Sequence, residues 1–326
     1  MNSIFTILAA VSSAAIAFGA GGYYAVAQTF PVKPVRVIAP FPPGGGVDAS
    51  ARIIGQALSE SLGQQVVIDN RPGASARIGT ELAAKAAPDG YTLLLGSVGP
   101  NAIIPSAYRS LPYDSIKDFA PVSLVATSAY VLVVHPSLPV KSVKELIALA
   151  GSQPGKLDFA STGNLGGPHL CGELFKSLAK VNIVHIAYKG GSPQMTALLS
   201  GEVSLAFASL PTAMPHVKAG RLRALGVTSG KRLATVPELP AIAEVLPGYE
   251  VLQWYGMLAP AGTPREIIAK LHGEIVKAVN TPKVKEQFQR LGSEAASNTP
   301  EEFAAHIKAE IAKYGKLIKA TGIPVE

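Results

Sequence analysis

Short apolar runs alternate with amphipathic stretches along most of the chain. Val35–Ala39 reads as a buried strand that breaks at Pro40, Pro42 and Pro43, and Gly44, Gly45 and Gly46 follow. The period then changes. Ala51, Ile54, Leu58 and Leu62 fall on one stripe, and Gly63 stops it, which predicts a helix from about Asp48. The same unit returns at residues 156–178. A strand at 157–160 runs into Ser161, Thr162, Gly163, Asn164, Gly166 and Gly167, and a helix then carries Leu170, Leu174, Phe175 and Leu178 inward. Strand, glycine loop and helix together aim unpaired backbone N–H groups at a bound anion. Glycine lets a ligand reach the backbone because no Cβ stands in the way. Two such loops suggest two lobes that present helix starts to one cleft. Asp48 reads as the N-cap of its helix, with ligand contact as the alternative.

The remaining pattern has the same grammar. Val66–Asn70 is a strand, 78–87 a helix, and 91–96 a strand apolar throughout, as in a parallel sheet covered on both faces. That strand empties into Ser97, Val98, Gly99, Pro100 and Asn101, at the end where open α/β sheets bind ligands. Residues 121–127 and 130–134 read as two strands, and 142–150 as a helix with Ser142 and Glu145 in capping-box spacing. Strands at 183–186, 203–208, 222–228 and 251–259 alternate with helices near 194–199 and 212–219. Three helices close the chain, opened by Thr263-Pro264, Thr281-Pro282 and Thr299-Pro300, and they read as scaffold. The alternation indicates a mostly parallel α/β fold.

Composition changes this picture little. The 326 residues suffice for two lobes. Charged residues make up 16%, below the ~25% usual for soluble proteins. The net charge of +7 is scattered without a Lys/Arg run, which argues against nucleic-acid binding and fits anionic small ligands. Cys171 is the single cysteine, so no intramolecular disulfide forms, and it falls on an apolar stripe as a core residue. The six histidines lack zinc spacing. No charged residue precedes Lys33, residues 4–18 are apolar, and Ala25-Val26-Ala27 forms a small-x-small cleavage site. Residues 1–27 are therefore expected to be a signal peptide, with an uncleaved anchor as the alternative.

Catalytic signatures are missing. The chain contains no GxGxxG, GxxxxGK(S/T), GxSxG or HExxH. Ser161 and His169 lie eight apart across a helix start, where capping and packing account for them. Lys189, after the strand at 183–186, is placed at a cleft rim, and Phe41 either walls a ligand or plugs its own loop. A cleft rich in backbone donors and poor in catalytic side chains has the profile of a binding protein.

From about Phe30 to Ile323 the chain resembles the Bug-type periplasmic substrate-binding proteins of tripartite tricarboxylate transporters. The resemblance is carried by PVKPVRVIAPFPPGGGVD (31–48), VVIDNRPGA (66–74), AAKAAPDGYTLLLG (83–96), LPYDSIKDFAPVSLVA (111–126), PGKLDFASTGN (154–164), VHIAYKGGSP (184–193), PHVKAGRLRALGVTS (215–229) and WYGMLAPAGTP (254–264). It implies an α/β, two-lobed periplasmic binding protein fold, type II-like, with mostly parallel sheets and a hinged cleft. Domain 1 would combine 28–125 with 226–326, domain 2 would be 126–225, and the crossing strands would be 121–127 and 222–228. The family holds a ligand carboxylate mainly by main-chain groups and waters. Carried over, one lobe offers Phe41, Pro43, Gly44, Gly45, Val47 and Asp48, and the other Ser161, Thr162, Gly163, Asn164 and His169. Ser97, Asn101, Tyr188, Lys189 and Ala208 would complete the cleft.

Some positions depart from the family pattern. Ser75-Ala76-Arg77 stands where Gly-Gly-Asn is common, Leu165 replaces a glycine, and Ala208 after Phe207 replaces an aspartate, as do Ser204 and Ala197. Fewer acidic groups near the cleft point to a di- or tricarboxylate or an aromatic carboxylate rather than an amino acid. The resemblance implies a monomeric periplasmic receptor that serves two membrane subunits, with no cofactor, metal or nucleic acid and no enzymatic activity. A ligand sensor for a membrane signalling partner is the alternative, and an exported enzyme using the glycine loops as an anion cradle the more distant one.

Overall fold

The computed structural model describes residues 30–321. The expected signal peptide, residues 1–27, lies outside the described residues. In chain order the elements are β1 (Val35–Ala39), α1 (Gly46–Leu62), β2 (Val66–Asn70), α2 (Arg77–Ala84), β3 (Thr92–Ser97), a π-helical turn (Gly99–Ile103), α3 (Ile104–Ala107), β4 (Phe119–Val134), α4 (Val143–Ser152), β5 (Asp158–Ser161), α5 (Gly167–Ala179) and β6 (Val184–Ala187). Then follow α6 (Gly191–Ser200), β7 (Leu205–Ser209), α7 (Leu210–Lys218), β8 (Arg223–Val227), β9 (Leu252–Pro260), α8 (Arg265–Asn280), α9 (Pro282–Arg290), β10 (Ser293–Ala295) and α10 (Pro300–Thr321).

The strands run in the order β2-β1-β3-β9-β4-β7-β5-β6, with β10 and β8 also paired to β4. The two stretches expected as separate strands at 121–127 and 130–134 are one 16-residue strand, β4. Its first part, Phe119 to Ala129, pairs antiparallel with β9, while Tyr130 to Val134 pair antiparallel with β7. One strand thus belongs to two sheets. Parallel pairing is confined to the outer strands, β2-β1-β3 in the first sheet and β7-β5-β6 in the second. The sheets are therefore mixed, because the return strand β9 and the shared strand β4 run against their neighbours.

Each sheet is covered on both faces. Ile54 and Leu58 of α1 and Leu271, Ile275 and Phe288 of α8 and α9 share one core with Leu93, Leu95 and Val125. The three C-terminal helices are scaffold as expected; α10 buries Phe303, Ile307 and Tyr314 around Trp254 on the other face. In the second lobe Phe159, Cys171, Phe175 and Phe207 form the core, joined by Ile242, Tyr249 and Val251. β8 pairs with Val131 to Val134 of β4 and bridges through Val227 to Ala241, so the stretch from β8 to Val251 packs on the second sheet.

Capping of the three C-terminal helices follows the sequence with one shift. Thr299 Oγ1 accepts from Glu302 N–H and Glu302 accepts from Thr299 N–H, a complete capping box. Thr281 caps α9 through Val284 N–H. Helix α8 differs: Pro264 is its N-cap, and the Thr263 hydroxyl donates to Pro260 O at 2.8 Å, closing the turn after β9 instead. Gly256 of β9 lets α10 dock, since a Cβ there would lie inside the Phe303 ring. Gly256→Ala should cost about 1–3 kcal/mol of stability, read as a lower urea midpoint. An unchanged midpoint would contradict this packing.

Candidate functional site

The first glycine loop is built by β1 ending at Ala39 and α1 starting at Gly46. Gly44 has φ +87°, a left-handed turn that glycine adopts without strain. The N-cap of α1 is Gly45. The expectation that Asp48 caps the helix is corrected, because α1 begins two residues earlier than its apolar stripe indicates. Asp48 is 4% exposed. Its carboxylate reaches back to accept from Gly44 N–H at 2.9 Å, Asn70 Nδ2 at 3.0 Å and Arg52 Nε at 3.0 Å. Asn70 also donates to Phe41 O at 3.1 Å. Burial alone would raise the Asp48 pKa, but the Arg52, Gly44 and Asn70 hydrogen bonds and the Arg52 charge together hold it below the ordinary carboxylate value. Asp48 therefore braces the loop from beneath.

The second loop is braced in the same way. Gly163 has φ +132°, and Leu165, where glycine would be easy, has φ +57°. Ser161 Oγ donates to Gly163 O and lies 2.6 Å from His185 Nε2. His169 Nδ1 accepts from Leu165 N–H at 3.0 Å, and its ring stacks on His185 with centroids 3.8 Å apart. Burial first, with help from neighbouring Lys176, pushes His185 down to about 4; burial and the His185 neighbour push His169 down to about 3. Both imidazoles are neutral at pH 7. Ser161 and His169 are thus buried under the loop.

Between the loops lies a cavity of about 840 Å³. Of the residues expected at the site, Phe41, Pro43, Gly44, Gly45 and Val47 line it from one lobe, and Thr162, Gly163 and Asn164 from the other, with Ser97 between them. Asp48, Ser161 and His169 are beneath it. Asn101 is also buried, its Oδ1 accepting from Ser97 N–H at 3.1 Å, while Ser97 Oγ and Asn101 Nδ2 have no protein partner. Tyr188 turns away to Glu202, Lys189 is not among the lining residues, and Ala208 is buried behind the wall.

The structure adds a floor and a third helix start. Tyr130 Oη donates to Gln253 Oε1 at 3.1 Å, and Tyr255 lies two residues along β9. Burial pushes the Tyr255 phenol up to about 12 and Tyr130 well above its ordinary value, so both are neutral. Each tyrosine sits against the first glycine of a cleft helix. A Cβ on Gly46 would collide with Tyr255 Oη, and one on Gly167 with Tyr130 Oη. The third start is α6, where Gly190, at φ +112°, is the N-cap and Gly190 to Ser192 line the cavity. Gly190-Gly191 after a strand repeats the strand–glycine–helix signal, and that signal was available in the sequence. Ser75 reaches the rim on a run of three non-glycine residues with positive φ, Ala74, Ser75 and Ala76, a strained turn.

None of the described lining residues is Asp, Glu, Lys, Arg or His. The starts of α1, α5 and α6 supply the positive potential through unpaired N–H groups and helix dipoles. The site can hold an anion and offers no acid, base or nucleophile pair to transform it. Two lobes around such a cleft define a solute-binding protein.

Comparison with known proteins gives the family. The model for the tripartite tricarboxylate transporter family receptor, TctC, matches residues 50–323. Protein BugT of Bordetella pertussis is 38% identical over 298 residues, 91% of each chain. The solved structure of R. palustris Rpa4515 with adipate has a TM-score of 0.81 at 38% identity, covering 90% of this chain and 99% of that one. MatC (Rpa3494) from Rhodopseudomonas palustris with bound malate has a TM-score of 0.75 at 30% identity, covering 89% and 100%. The chain belongs to the TctC family of transport receptors, as a Bug-type member, and that family is one of binding proteins rather than enzymes.

Three outcomes test this site. Gly46→Ala should lower the melting temperature, and adding Tyr255→Phe should recover most of the loss, because the remaining ring carbon Cζ is 3.3 Å from the new Cβ. Gly167→Ala should stay destabilised with Tyr130→Phe, since Cζ there is 2.7 Å away. Asp48→Asn should melt below wild type at pH 7, and the gap should close as pH falls below about 4. The lowered native pKa makes the Asp48 contribution present above the unfolded pKa and lost as the native carboxylate protonates.

Proposed function

We propose that this chain is an exported, periplasmic receptor that binds a small carboxylate between its lobes and delivers it to two membrane subunits of a tripartite transporter. One observation carries the reading: three helix starts converge on a cleft whose described lining residues include no charged side chain. Such a site compensates a carboxylate with N–H donors and needs no counter-cation. It also gives an ammonium group no carboxylate partner, which favours di- or tricarboxylates and aromatic carboxylates over amino acids. Phe41, Val47, Val98, Ile104 and Leu165 provide apolar walls for the ligand body. Adipate and malate, bound by the two relatives, are carboxylates of this kind.

The division into domains is proposed as 28–125 with the C-terminal part of the chain against 126–251. Residues 226–251, expected in domain 1, go to domain 2 because they pack with β8 on the second sheet, so β8 is not a crossing strand. The hinge lies where pairing changes sheets, at Ala129–Tyr130 and near Val251. Among the described residues no helix is long and apolar enough to cross a membrane. Export rests on the N-terminal segment, and the protein acts as a monomer. Mature protein, unfolded and refolded to remove retained ligand, should show a melting-temperature rise of about 5 °C or more with one carboxylate class at 100 times its Kd. Amides and sugars should give none. A flat response to every carboxylate would refute the reading.

A further inference from the structure

The geometry points to Gln194 as a specificity-determining residue of the cleft, a fixed hydrogen-bond acceptor that selects carboxylates carrying a hydroxyl group. This inference rests on the carboxylate reading above and deepens it.

Gln194 lies in the first turn of α6, is 2% exposed, and lines the cavity. Its Nε2 donates to Ala160 O at 2.9 Å and to Phe207 O at 3.0 Å. These carbonyls belong to β5 and β7, where that ladder ends: Ala160 is its last paired residue on β5, and Phe207 follows its last paired residue on β7, Ala206. Both amide hydrogens are therefore used, and both partners are pure acceptors. A flipped amide would set Oε1 against two carbonyl oxygens, so the network alone fixes the orientation. Oε1 has no hydrogen-bond partner among the described residues and is not sealed in the interior, so it is the atom left to the cleft.

The consequence follows from polarity. The starts of α1, α5 and α6 present N–H donors, which take carboxylate oxygens. Gln194 Oε1 repels a carboxylate oxygen and accepts from a ligand donor. Once the cleft closes and sheds water, an acceptor without a donor is unfavourable. An ammonium group would donate, but it would meet the positive ends of three helices and no lining carboxylate. An alcohol O–H donates without charge, so a hydroxycarboxylate fits both halves of the site.

The test is calorimetric titration of refolded, ligand-free mature protein with matched acids: succinate and malate, glutarate and 2-hydroxyglutarate, tricarballylate and citrate, benzoate and 4-hydroxybenzoate. In at least one pair the hydroxy acid should bind about tenfold tighter. Gln194→Met should bring that ratio close to one, whatever it does to the affinity for the plain acid, because the ratio isolates the hydroxyl contact. If that variant does not fold, the methyl ether of the preferred hydroxy acid serves on wild type, since it keeps the oxygen but cannot donate; it should lose the advantage. Equal affinity within every pair that binds overturns the Gln194 assignment and leaves the carboxylate reading standing. So does a hydroxyl preference that survives in Gln194→Met. If no acid binds, the carboxylate reading fails and the assignment fails with it.

Discussion

The strand shared by both sheets sets the geometry of this protein. β4 pairs with β9 and β10 along its first part and with β7 and β8 along its last. A strand held in two ladders can bend or twist, but it cannot slip by one residue without turning both hydrophobic faces outward. The positions of the lobes are therefore tied to a single register. The cleft lies where the pairing changes hands, and Ser128, Ala129 and Tyr130 face it for that reason.

The helices then close in on that floor as far as their first residues permit. Tyr255 stands against Gly46 and Tyr130 against Gly167, so each glycine loop meets a neutral phenol. This arrangement requires glycine twice, once for the left-handed turn and once for the close approach. It also explains how a cleft without cations can serve anions. Desolvating a carboxylate is expensive unless its lone pairs are met, and preorganised N–H groups meet them at fixed positions. Charged groups are present nearby, but they are spent inside each lobe: Asp48 with Arg52 under one loop, and Glu173 with Lys176 in α5. They stiffen the lobes instead of contacting the cavity.

Much of this was legible in the sequence, and the missing part has a common cause. The apolar periods located nearly all the helices and strands, because burial periodicity of 2 or 3.6 is a local property of the chain. Thr281 and Thr299 announced helix starts because capping is settled within four residues. The glycine loops were visible for the same reason. What the local pattern could not separate was the cleft face of a loop from its underside. Asp48, Ser161 and His169 all adjoin the two loops, and all three are buried beneath them. Tyr130, Gln253 and Tyr255 gave no signal, since they meet only through the pairing of β4 with β9, strands more than a hundred residues apart.

The sequence by itself thus determined the element types, the α/β class, the family pattern and the anion-binding grammar of strand, glycine and helix. These follow from backbone freedom and burial period over a few residues. Only the tertiary structure decided that two expected strands are one, that three helix starts face the same space, and which side chains reach it. Those depend on long-range register and on which hydrogen bonds each polar group has already spent. Gln194 shows the distinction best. Its two amide hydrogens are committed to carbonyls of β5 and β7, and that commitment turns an ordinary helix glutamine into an acceptor facing the cleft.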